Sequence, residues 1–329
     1  MKIVLTLLTL VAFYVFTLLH DAGVFRRIKD VKYGQCQKIG PALGPEDMVL
    51  TNTKAGVKVL VSSDARTTEA ASGHLYEYDL QNRHLRDMTS ELNLPFPFHP
   101  HGMDLWTEGT GKTLVYVVNH MDELHTRIEV FEWGPEIVFV KSIENELFQS
   151  GNDLVAIGND RFYLTSDFGT PNKFQQKLQS YLWQKTGYVT HYDGNTAKKI
   201  ANNLFYANGI TKGFENRIFV SAMLEKAVHI LEGEVIPLEG APDNITWYQE
   251  KLYIAAHANL FALKKESEDR KNRAPSKIIE WDGKKATTIY ENAGDEISSA
   301  SIALPIDENR LLIGSVFDNH ILDCTRSKP

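Results

Sequence analysis

Four stretches of the sequence set oxygen-bearing side chains next to each other or next to a glycine: Glu46-Asp47, Asn152-Asp153, Asn208-Gly209 and Asp243-Asn244. Carboxylate oxygens, amide oxygens and water are the ligands that Ca²⁺ takes, roughly six to eight at a time. Two carboxylates in such a set balance the charge of one divalent ion. We therefore predict a calcium site built from five side chains: Glu46, Asn152, Asn208, Asp243 and Asn244.

The sequence neighbours of two of these residues predict a second ion. Neighbouring side chains of an extended strand point to opposite faces, so Asn152 and Asp153 are expected to serve different sites. Asp47 stands in the same relation to Glu46, and with Asp153 and a backbone carbonyl it is predicted to hold the second calcium ion. Zinc is disfavoured because no set of cysteines and histidines has suitable spacing.

Histidines provide the candidates for acid–base chemistry. His101, in Phe98-His99-Pro100-His101-Gly102-Met103, and His120 stand at the start of one segment and at the end of its next strand. Two imidazoles that meet there can act as a base and its orienting partner, because histidine titrates near neutral pH. His257 is a third candidate for the same site. The sequence has no nucleophile elbow, P-loop or dinucleotide fingerprint.

The elements that position these residues are short β-strands separated by turns, a pattern of sandwiches, barrels and propellers. Landmark residues precede successive strand pairs at intervals of 36 to 56 residues: Asp47, Gly102, Asn152, Asn208, Asn244 and Ser299. This interval is close to the length of one four-stranded blade. The sequence therefore predicts an all-β fold, a six-bladed β-propeller with a few covering helices, over residues 31–329.

The N-terminal residues 1–30 are predicted to be a hydrophobic signal or signal-anchor segment with a short linker. Residues 3–19 are almost uninterrupted apolar and close to the length that spans a bilayer. Retention as an anchor is favoured over cleavage because no good cleavage site follows. Either outcome places the protein outside the cytoplasm, secreted or membrane-anchored. The net charge of −7 argues against nucleic acid as a partner.

The only two cysteines, Cys36 and Cys324, stand near opposite ends of the chain. In an oxidising compartment a disulfide between them is favoured over two separate buried thiols. Such a bond would join the first strand of a closed ring to the last.

Residues 171–188 interrupt the β pattern with an amphipathic helix whose apolar positions are Phe174, Leu178, Tyr181 and Leu182. A helix that covers the top of the ring is favoured over one that contacts a membrane or lipid.

Together these motifs resemble the paraoxonase family of calcium-dependent lactonases and arylesterases. The resemblance runs from Cys36 to Cys324 and is carried by these segments: Pro45-Glu46-Asp47-Met48, Phe98-His99-Pro100-His101-Gly102, Val117-Val118-Asn119-His120, Gly151-Asn152-Asp153-Leu154, Tyr206-Ala207-Asn208-Gly209-Ile210, Asp243-Asn244-Ile245 and Leu312-Ile313-Gly314-Ser315-Val316-Phe317.

The resemblance implies a role for most of the candidate residues. It implies the five-residue set as ligands of a catalytic calcium, with Asp47, Asp153 and the backbone carbonyl of Met103 as ligands of a structural calcium. It also implies the dyad His101–His120 and the disulfide Cys36–Cys324. Further candidates for the pocket are Tyr206, His257, Asp167 and Ser299.

The chain departs from the family pattern near the predicted mouth. The segment 64–73 is more polar than expected. Ala256, directly before His257, stands where a free cysteine is expected, and Asp318 stands where a histidine is expected. These departures affect the predicted substrate preference and leave the predicted metal ligands in place.

The predicted activity is calcium-dependent hydrolysis of small lactones and aryl esters, with water activated by histidine. Two alternatives stay open at this point. One is a binding or chaperone-like propeller without turnover, and the other is a strictosidine-synthase-like or gluconolactonase-like enzyme. The helix at residues 171–188 and the N-terminal segment 3–19 are the candidates for membrane or lipid contact.

Overall fold

The computed structural model describes residues 2–53, 56–66, 72–122 and 125–326 of the chain. Within these residues 24 strands form six antiparallel sheets of four strands each. The sheets are the blades of a six-bladed β-propeller, as the landmark spacing predicts.

In five blades, four consecutive strands run from the innermost to the outermost position. Blade 1 contains β2 (Pro45–Thr53), β3 (Gly56–Ser63), β4 (His74–Asp79) and β5 (His84–Asp87). Blade 2 contains β6 (Pro100–Thr107), β7 (Thr113–His120), β8 (Thr126–Trp133) and β9 (Val138–Ile143). Blade 3 contains β10 (Gly151–Gly158), β11 (Arg161–Ser166), β12 (Gly187–Tyr192) and β13 (Ala197–Leu204).

Blade 4 contains β14 (Ala207–Lys212), β15 (Ile218–Ala222), β16 (Ala227–Ile230) and β17 (Val235–Pro237). Blade 5 contains β18 (Ala241–Tyr248), β19 (Lys251–His257), β20 (Ser276–Trp281) and β21 (Ala286–Asn292). Blade 6 combines both ends of the chain in β22 (Ala300–Pro305), β23 (Arg310–Ser315), β24 (Ile321–Thr325) and β1 (Gln35–Ile39).

The ring is closed by hydrogen bonding and by a covalent bond at the same place. Strand β1 pairs with β24, and in that register Cys36 lies directly opposite Cys324. The two cysteines form a disulfide across 288 residues of sequence, which confirms the predicted bond. The bond joins the two ends of the fold within one blade, so opening the ring requires this sheet to be pulled apart.

Apolar side chains between neighbouring blades form the core. One cluster joins Tyr116 and Val118 of β7 to Leu154 of β10 and Phe162 of β11, and all four are almost completely buried. Equivalent clusters fill the other spaces between blades. Because each blade contacts only its two neighbours in this way, the inner strands are held in a ring around a central axis.

A β-bulge occurs near the start of every innermost strand. The pairing register shifts between Pro45 and Asp47 in β2, and it shifts between Gly151 and Leu154 in β10. Strands β6, β14, β18 and β22 show the same shift at the equivalent place. A bulge inserts an extra residue and re-aims side chains. The predicted ligands therefore lie in bulges, and the simple two-residue alternation assumed from the sequence does not apply to them.

Three α-helices accompany the blades within the described residues: α1 (Lys2–Asp21), α2 (Lys173–Tyr181) and α3 (Leu260–Glu268). Helix α1 is long and apolar enough to cross a membrane, and none of its residues is buried. Short 3₁₀ turns lie at Glu146–Phe148, Phe214–Asn216 and Met223–Glu225.

Helix α2 forms where the sequence predicts a helix, but it packs with a different face. Its apolar residues Phe174 and Leu178 are exposed, and the buried residue is Gln176. The Gln176 amide donates hydrogen bonds to Ser150 Oγ at 3.2 Å and to the carbonyl of Thr170 at 2.8 Å. The apolar face of α2 is therefore left open, which the covering-helix interpretation does not anticipate.

Candidate metal centre and active site

The predicted site residues lie together at one end of the propeller axis. In each blade the innermost strand begins at this end, and the antiparallel second strand finishes there. Glu46 is at the start of β2, whereas His120 is the last residue of β7 and His257 the last residue of β19. Residues that are far apart in the sequence therefore meet around one mouth.

Four of the five predicted ligands of the first ion have a buried side-chain oxygen without a hydrogen-bond partner. These atoms are Glu46 Oε2, Asn152 Oδ1, Asn208 Oδ1 and Asn244 Oδ1. Each residue is at most 4% exposed, so water does not compensate the oxygens. A buried oxygen without a partner costs roughly 1–3 kcal/mol, and several in one place suit a bound cation. We call the five side chains Glu46, Asn152, Asn208, Asp243 and Asn244 the metal cup.

The remaining contacts of the metal cup hold its members in position. His257 Nε2 donates to Asp243 Oδ2 at 2.7 Å, and His257 is itself buried. The Asn244 amide nitrogen donates to the backbone carbonyl of Glu46 at 3.3 Å, which leaves its oxygen free. Asn244 also begins the glycosylation sequence Asn244-Ile245-Thr246, but its side chain is only 1% exposed and has no room for a glycan.

The residues of the predicted second site line one cavity among the inner strands. The carboxylate of Asp47 accepts hydrogen bonds from the N–H groups of Met48 and Met103, both at 2.8 Å. Asp153 accepts from the N–H of Leu154 at 2.7 Å and from that of Ile210 at 2.9 Å. Each carboxylate oxygen keeps a further lone pair for a metal. We call Asp47, Asp153 and the Met103 carbonyl the axial site.

Glycine is required where two blades approach each other at these sites. A Cβ at Gly102 would lie 2.3 Å from Asp153 Oδ1 and 2.5 Å from Asp153 Cα. A Cβ at Gly209 would lie 2.6 Å from the Cα of Asn244. Both glycines therefore permit the close backbone contact that brings the ligand-bearing strands together.

A third carboxylate of the same type, Asp104, was not identified from the sequence. It accepts from the N–H of Leu105 and from the N–H of Ala156 in the next blade, both at 2.8 Å. Asp47 connects blade 1 to blade 2 and Asp153 connects blade 3 to blade 4 through bonds of the same type. Asp104 makes the corresponding connection between blade 2 and blade 3. Its position two residues after Gly102 on a predicted strand is the signal that could have revealed it.

An axial cavity of about 220 Å³ is lined by these three carboxylates and by apolar residues of the inner strands. Burial raises the pKa of Asp47 to about 7 and that of Asp104 to about 6. Burial, and then the neighbouring charge of Asp47, raises the pKa of Asp153 well above its usual range. Three buried carboxylates with raised pKa values are an environment that a divalent cation would stabilise.

The histidine pair is in contact at the rim of the metal cup. The rings of His101 and His120 have centroids 4.7 Å apart, and the planes make an angle of 48°. His120 Nε2 donates to the carbonyl of Gly151 at 2.7 Å, which fixes its tautomer. His101 Nδ1 lies 3.3 Å from Glu46 Oε1 and has no hydrogen-bond partner. The two rings are therefore packed against each other in a tilted arrangement, and no direct hydrogen bond joins them.

Both histidines are neutral at neutral pH. Burial, and then the charge of Arg66, lowers the pKa of His101 well below its usual range. The same two causes lower the pKa of His120 to about 4. A neutral imidazole has a lone pair that can accept a proton.

Two other predicted pocket residues, Asp167 and Tyr206, are hydrogen bonded to each other. Burial raises the pKa of Asp167 to about 6, and its carboxylate is hydrogen bonded to Ser150 and to Tyr206. The Tyr206 ring packs edge-on against Phe168 with centroids 5.1 Å apart. Ser299 is placed differently, because its buried hydroxyl donates to Glu266 Oε2 of α3 at 2.6 Å. Ser299 therefore holds α3 onto the mouth.

Arg66 is a residue of the mouth to which the sequence assigned no role. Its guanidinium Nη2 makes an ion contact with Glu46 Oε2, inside the metal cup. Burial lowers the pKa of Arg66 to about 10, so the group remains charged. The predicted mouth segment 64–73 is described only in part, since residues 67–71 lie outside the described residues.

The donor set of the metal cup fits a hard cation. In the part of the chain that the structure describes, no group of three or more His, Cys, Asp or Glu side chains is arranged to hold a metal. The cup is consistent with this because three of its five members are asparagines. Amide and carboxylate oxygens suit Ca²⁺ and do not suit the soft or nitrogen-preferring metals.

Comparisons with known proteins show which proteins the chain is similar to. The family model described as Arylesterase matches residues 63–325. Serum paraoxonase/arylesterase 2 of Bos taurus is 27% identical over 322 residues, covering 89% of each chain. Serum paraoxonase/lactonase 3 of Homo sapiens is 26% identical over 266 residues, covering 74% of this chain and 75% of the relative.

Solved structures support the fold alone. A putative gluconolactonase covers 90% of this chain and 94% of its own, with a TM-score of 0.53 and 12% identity. The PQQ-bound aldose sugar dehydrogenase of Streptomyces coelicolor covers 90% and 99%, with a TM-score of 0.52 and 13% identity. The chemistry of these proteins carries no argument for this chain at such low identity.

Proposed function

The chain belongs to the arylesterase family and is an esterase/lactonase hydrolase of the paraoxonase type, and from this premise we propose that it opens lactones and cleaves aryl esters with the help of two calcium ions. The observation that carries the proposal is the set of three buried asparagine oxygens without partners in the metal cup, next to the buried Glu46 carboxylate. A hydrolase that needed no metal would not keep several such oxygens in one place.

The metal cup is assigned to the catalytic ion, and the axial site is assigned to the structural ion. A calcium ion held by the cup would act as a Lewis acid toward the substrate carbonyl, an effect worth several kcal/mol of transition-state stabilisation. Asp243 is kept in place for this task by the hydrogen bond from His257. Asn244 is kept in place by its bond to the Glu46 carbonyl.

His101 is the proposed general base. Its Nδ1 has no hydrogen-bond partner and the ring is neutral, so this nitrogen can take a proton from an attacking water. His120 supports the ring of His101 from the side, and its own orientation is fixed by the Gly151 carbonyl. The water oxygen adds to the carbonyl carbon, the alcohol leaves with a proton, and no covalent bond to the chain forms.

Replacing His101 by glutamine tests this role. Glutamine keeps a polar side chain but lacks a basic nitrogen, so kcat on an aliphatic lactone should fall by about 10²–10⁴-fold. KM and calcium affinity should change little, because His101 is not among the proposed ligands. The exposed His125→Gln variant is a matched control, since its side chain is 72% exposed. A His101→Gln variant with the full lactonase rate would disprove the general-base role.

We also propose that the apolar surface of α1 and α2 associates with a membrane or lipid surface. The Tyr14 hydroxyl of α1 donates to the Tyr181 carbonyl at the end of α2, so the two helices are adjacent. Phe174 and Leu178 of α2 are exposed, as are most apolar residues of α1. The apolar α1 helix and the disulfide are consistent with the secretory pathway.

Vesicle flotation tests the membrane proposal. Two arginines introduced at Leu8 and Val11 should release the full chain from phosphatidylcholine vesicles, because each charge costs about 3 kcal/mol at the centre of a spanning helix. Adding Leu178→Ser should lower any remaining binding further, whereas Gln175→Ser on the polar side of α2 should not. Unchanged flotation of the double-arginine variant would contradict the proposal.

A further inference from the structure

Arg66 introduces a positive charge into a site that is proposed to hold a metal cation. Its Nη2 is in ion contact with Glu46 Oε2, one of the four oxygens that have no hydrogen-bond partner. The backbone of Arg66 is held from the side of α3, because Arg270 Nη2 donates to the Arg66 carbonyl at 3.3 Å. Arg270 itself packs over the Phe317 ring, 3.9 Å from its centroid. The guanidinium is therefore directed into the mouth by a supported backbone.

The two carboxylates of the metal cup cannot neutralise both a divalent metal ion and the Arg66 guanidinium. Glu46 and Asp243 are the two carboxylates of the cup, and together they balance one divalent ion. Arg66 is in ion contact with Glu46, and the charge of Asp243 also acts on it favourably. Once a metal ion takes Glu46, the guanidinium loses its counter-charge. The neutral rings of His101 and His120 cannot replace it.

The other carboxylates near the mouth are already engaged. Asp64 lies 3.2 Å from His99 Nδ1, and Asp167 is bonded to Ser150 and Tyr206. The Arg66 side chain is only 16% exposed, so water screens its charge poorly. An arginine in this position needs an anion when the metal is bound.

Once the metal takes Glu46, two nitrogens of Arg66 become free to bind an anion. Nε and Nη2 lie along the same edge of the guanidinium, and neither has a hydrogen-bond partner. This edge matches the two oxygens of a carboxylate, and such paired bonds are short and strong. In the proposed function, every turnover of an ester or lactone produces a carboxylate at the metal cup, which Arg66 contacts through Glu46.

We propose that Arg66 is paired with Glu46 in the metal-free protein, and that metal binding releases it to bind a carboxylate of the ligand. That carboxylate belongs either to the acid product or to a substrate whose acyl chain carries a second acid group. The inference rests on the proposed function for the identity of the metal and the substrate. It adds a specificity-determining residue to that function.

The first arm of the test measures the metal-free state. Arg66→Gln removes the charge, and the exposed Arg217→Gln removes the same charge elsewhere, at a side chain that is 50% exposed. In excess EDTA, Arg66→Gln should unfold several degrees below the wild type because Glu46 loses its partner. By calorimetry its calcium affinity should rise by about tenfold or more, since a competing cation is gone. Arg217→Gln should match the wild type in both measurements.

The second arm measures anion binding to the calcium-loaded protein with hexanoate and its neutral analogue hexanamide. Arg66→Gln should weaken hexanoate binding by about tenfold or more and leave hexanamide binding unchanged. A raised KM for the monophenyl ester of glutaric acid, with an unchanged KM for phenyl acetate, would place the carboxylate on the substrate. A change in hexanoate inhibition without that KM change would place it on the product.

Equal calcium affinity and equal hexanoate binding in Arg66→Gln and the wild type would overturn the inference. The proposed function fails in a different way, because wild-type protein that hydrolyses no ester or lactone would contradict that function. In such a protein, altered calcium and hexanoate binding by Arg66→Gln would still support the exchange of partners at Arg66.

Discussion

Replacing Glu46 by glutamine should lower kcat/KM for lactones and aryl esters by on the order of 10³-fold, because a metal ion that polarises the carbonyl supplies several kcal/mol. Glutamine has the same shape but lacks the charge that the metal cup needs. The cup would keep only Asp243 as a carboxylate, so calcium affinity should fall together with the rate.

The fold should survive this substitution. Glu46 Oε2 has no hydrogen-bond partner, and the backbone carbonyl of Glu46 continues to accept from Asn244 and from Ser301 at 2.7 Å. The thermal unfolding temperature in EDTA should nevertheless fall by several degrees, as in Arg66→Gln, because the buried Arg66 guanidinium loses its counter-charge. Glu215→Gln, at a side chain that is 63% exposed, is the matched control. Full activity of Glu46→Gln on an aliphatic lactone would rule out the metal mechanism.

Alanine at Asn152 and alanine at Asp153 should have opposite effects, although the two residues are neighbours in the sequence. Asn152 offers an unpaired oxygen to the metal cup, so Asn152→Ala should lose most of the activity and little stability. Asp153→Ala leaves the N–H groups of Leu154 and Ile210 without an acceptor, at about 1–3 kcal/mol each. It also removes a carboxylate of the axial site, so it should impair folding first.

Asp104→Ala separates the metal contribution from that of the hydrogen bonds. Asp104 makes the same two kinds of backbone bond as Asp153, but it is not a proposed ligand. Differential scanning calorimetry should show a stabilisation by calcium in Asp104→Ala that resembles the wild type. In Asp153→Ala this stabilisation should be largely lost. Equal thermal losses in Asn152→Ala and Asp153→Ala would contradict the division into two sites.

The sequence predicts the blades well because each blade repeats one pattern. A landmark residue at the mouth is followed by an inner strand, as in Gly151-Asn152-Asp153-Leu154 of β10. The landmarks survive although the blades differ in length, since loops absorb the differences. For the same reason the predicted site residues come to lie at one end of the axis.

Other features depend on pairing and contacts that no single stretch of sequence contains. A bulge is an extra residue relative to the partner strand, so the one in β10 becomes visible only when β11 is aligned with it. The apolar pattern of α2 gives the helix but not its orientation. The buried face is decided by Ser150 and Thr170, which offer polar partners to Gln176.

The contact between Arg66 and Glu46 could not be predicted from the sequence. Arg66 lies in a polar mouth segment, and its sequence neighbours give no sign that a carboxylate of another strand is close. Its backbone has a left-handed conformation with φ of 54°, and Arg270, which follows α3, donates a hydrogen bond to its carbonyl. The contact with Glu46 depends on that tertiary arrangement.

Calcium content measured together with activity tests the central claim most directly. Purified protein should contain two calcium ions per chain, as the metal cup and the axial site require. Exhaustive EDTA treatment should abolish lactone hydrolysis, and added calcium should restore it in proportion to refilling of the metal cup. A chain that hydrolyses the lactone at its full rate after all calcium has been removed would contradict the account.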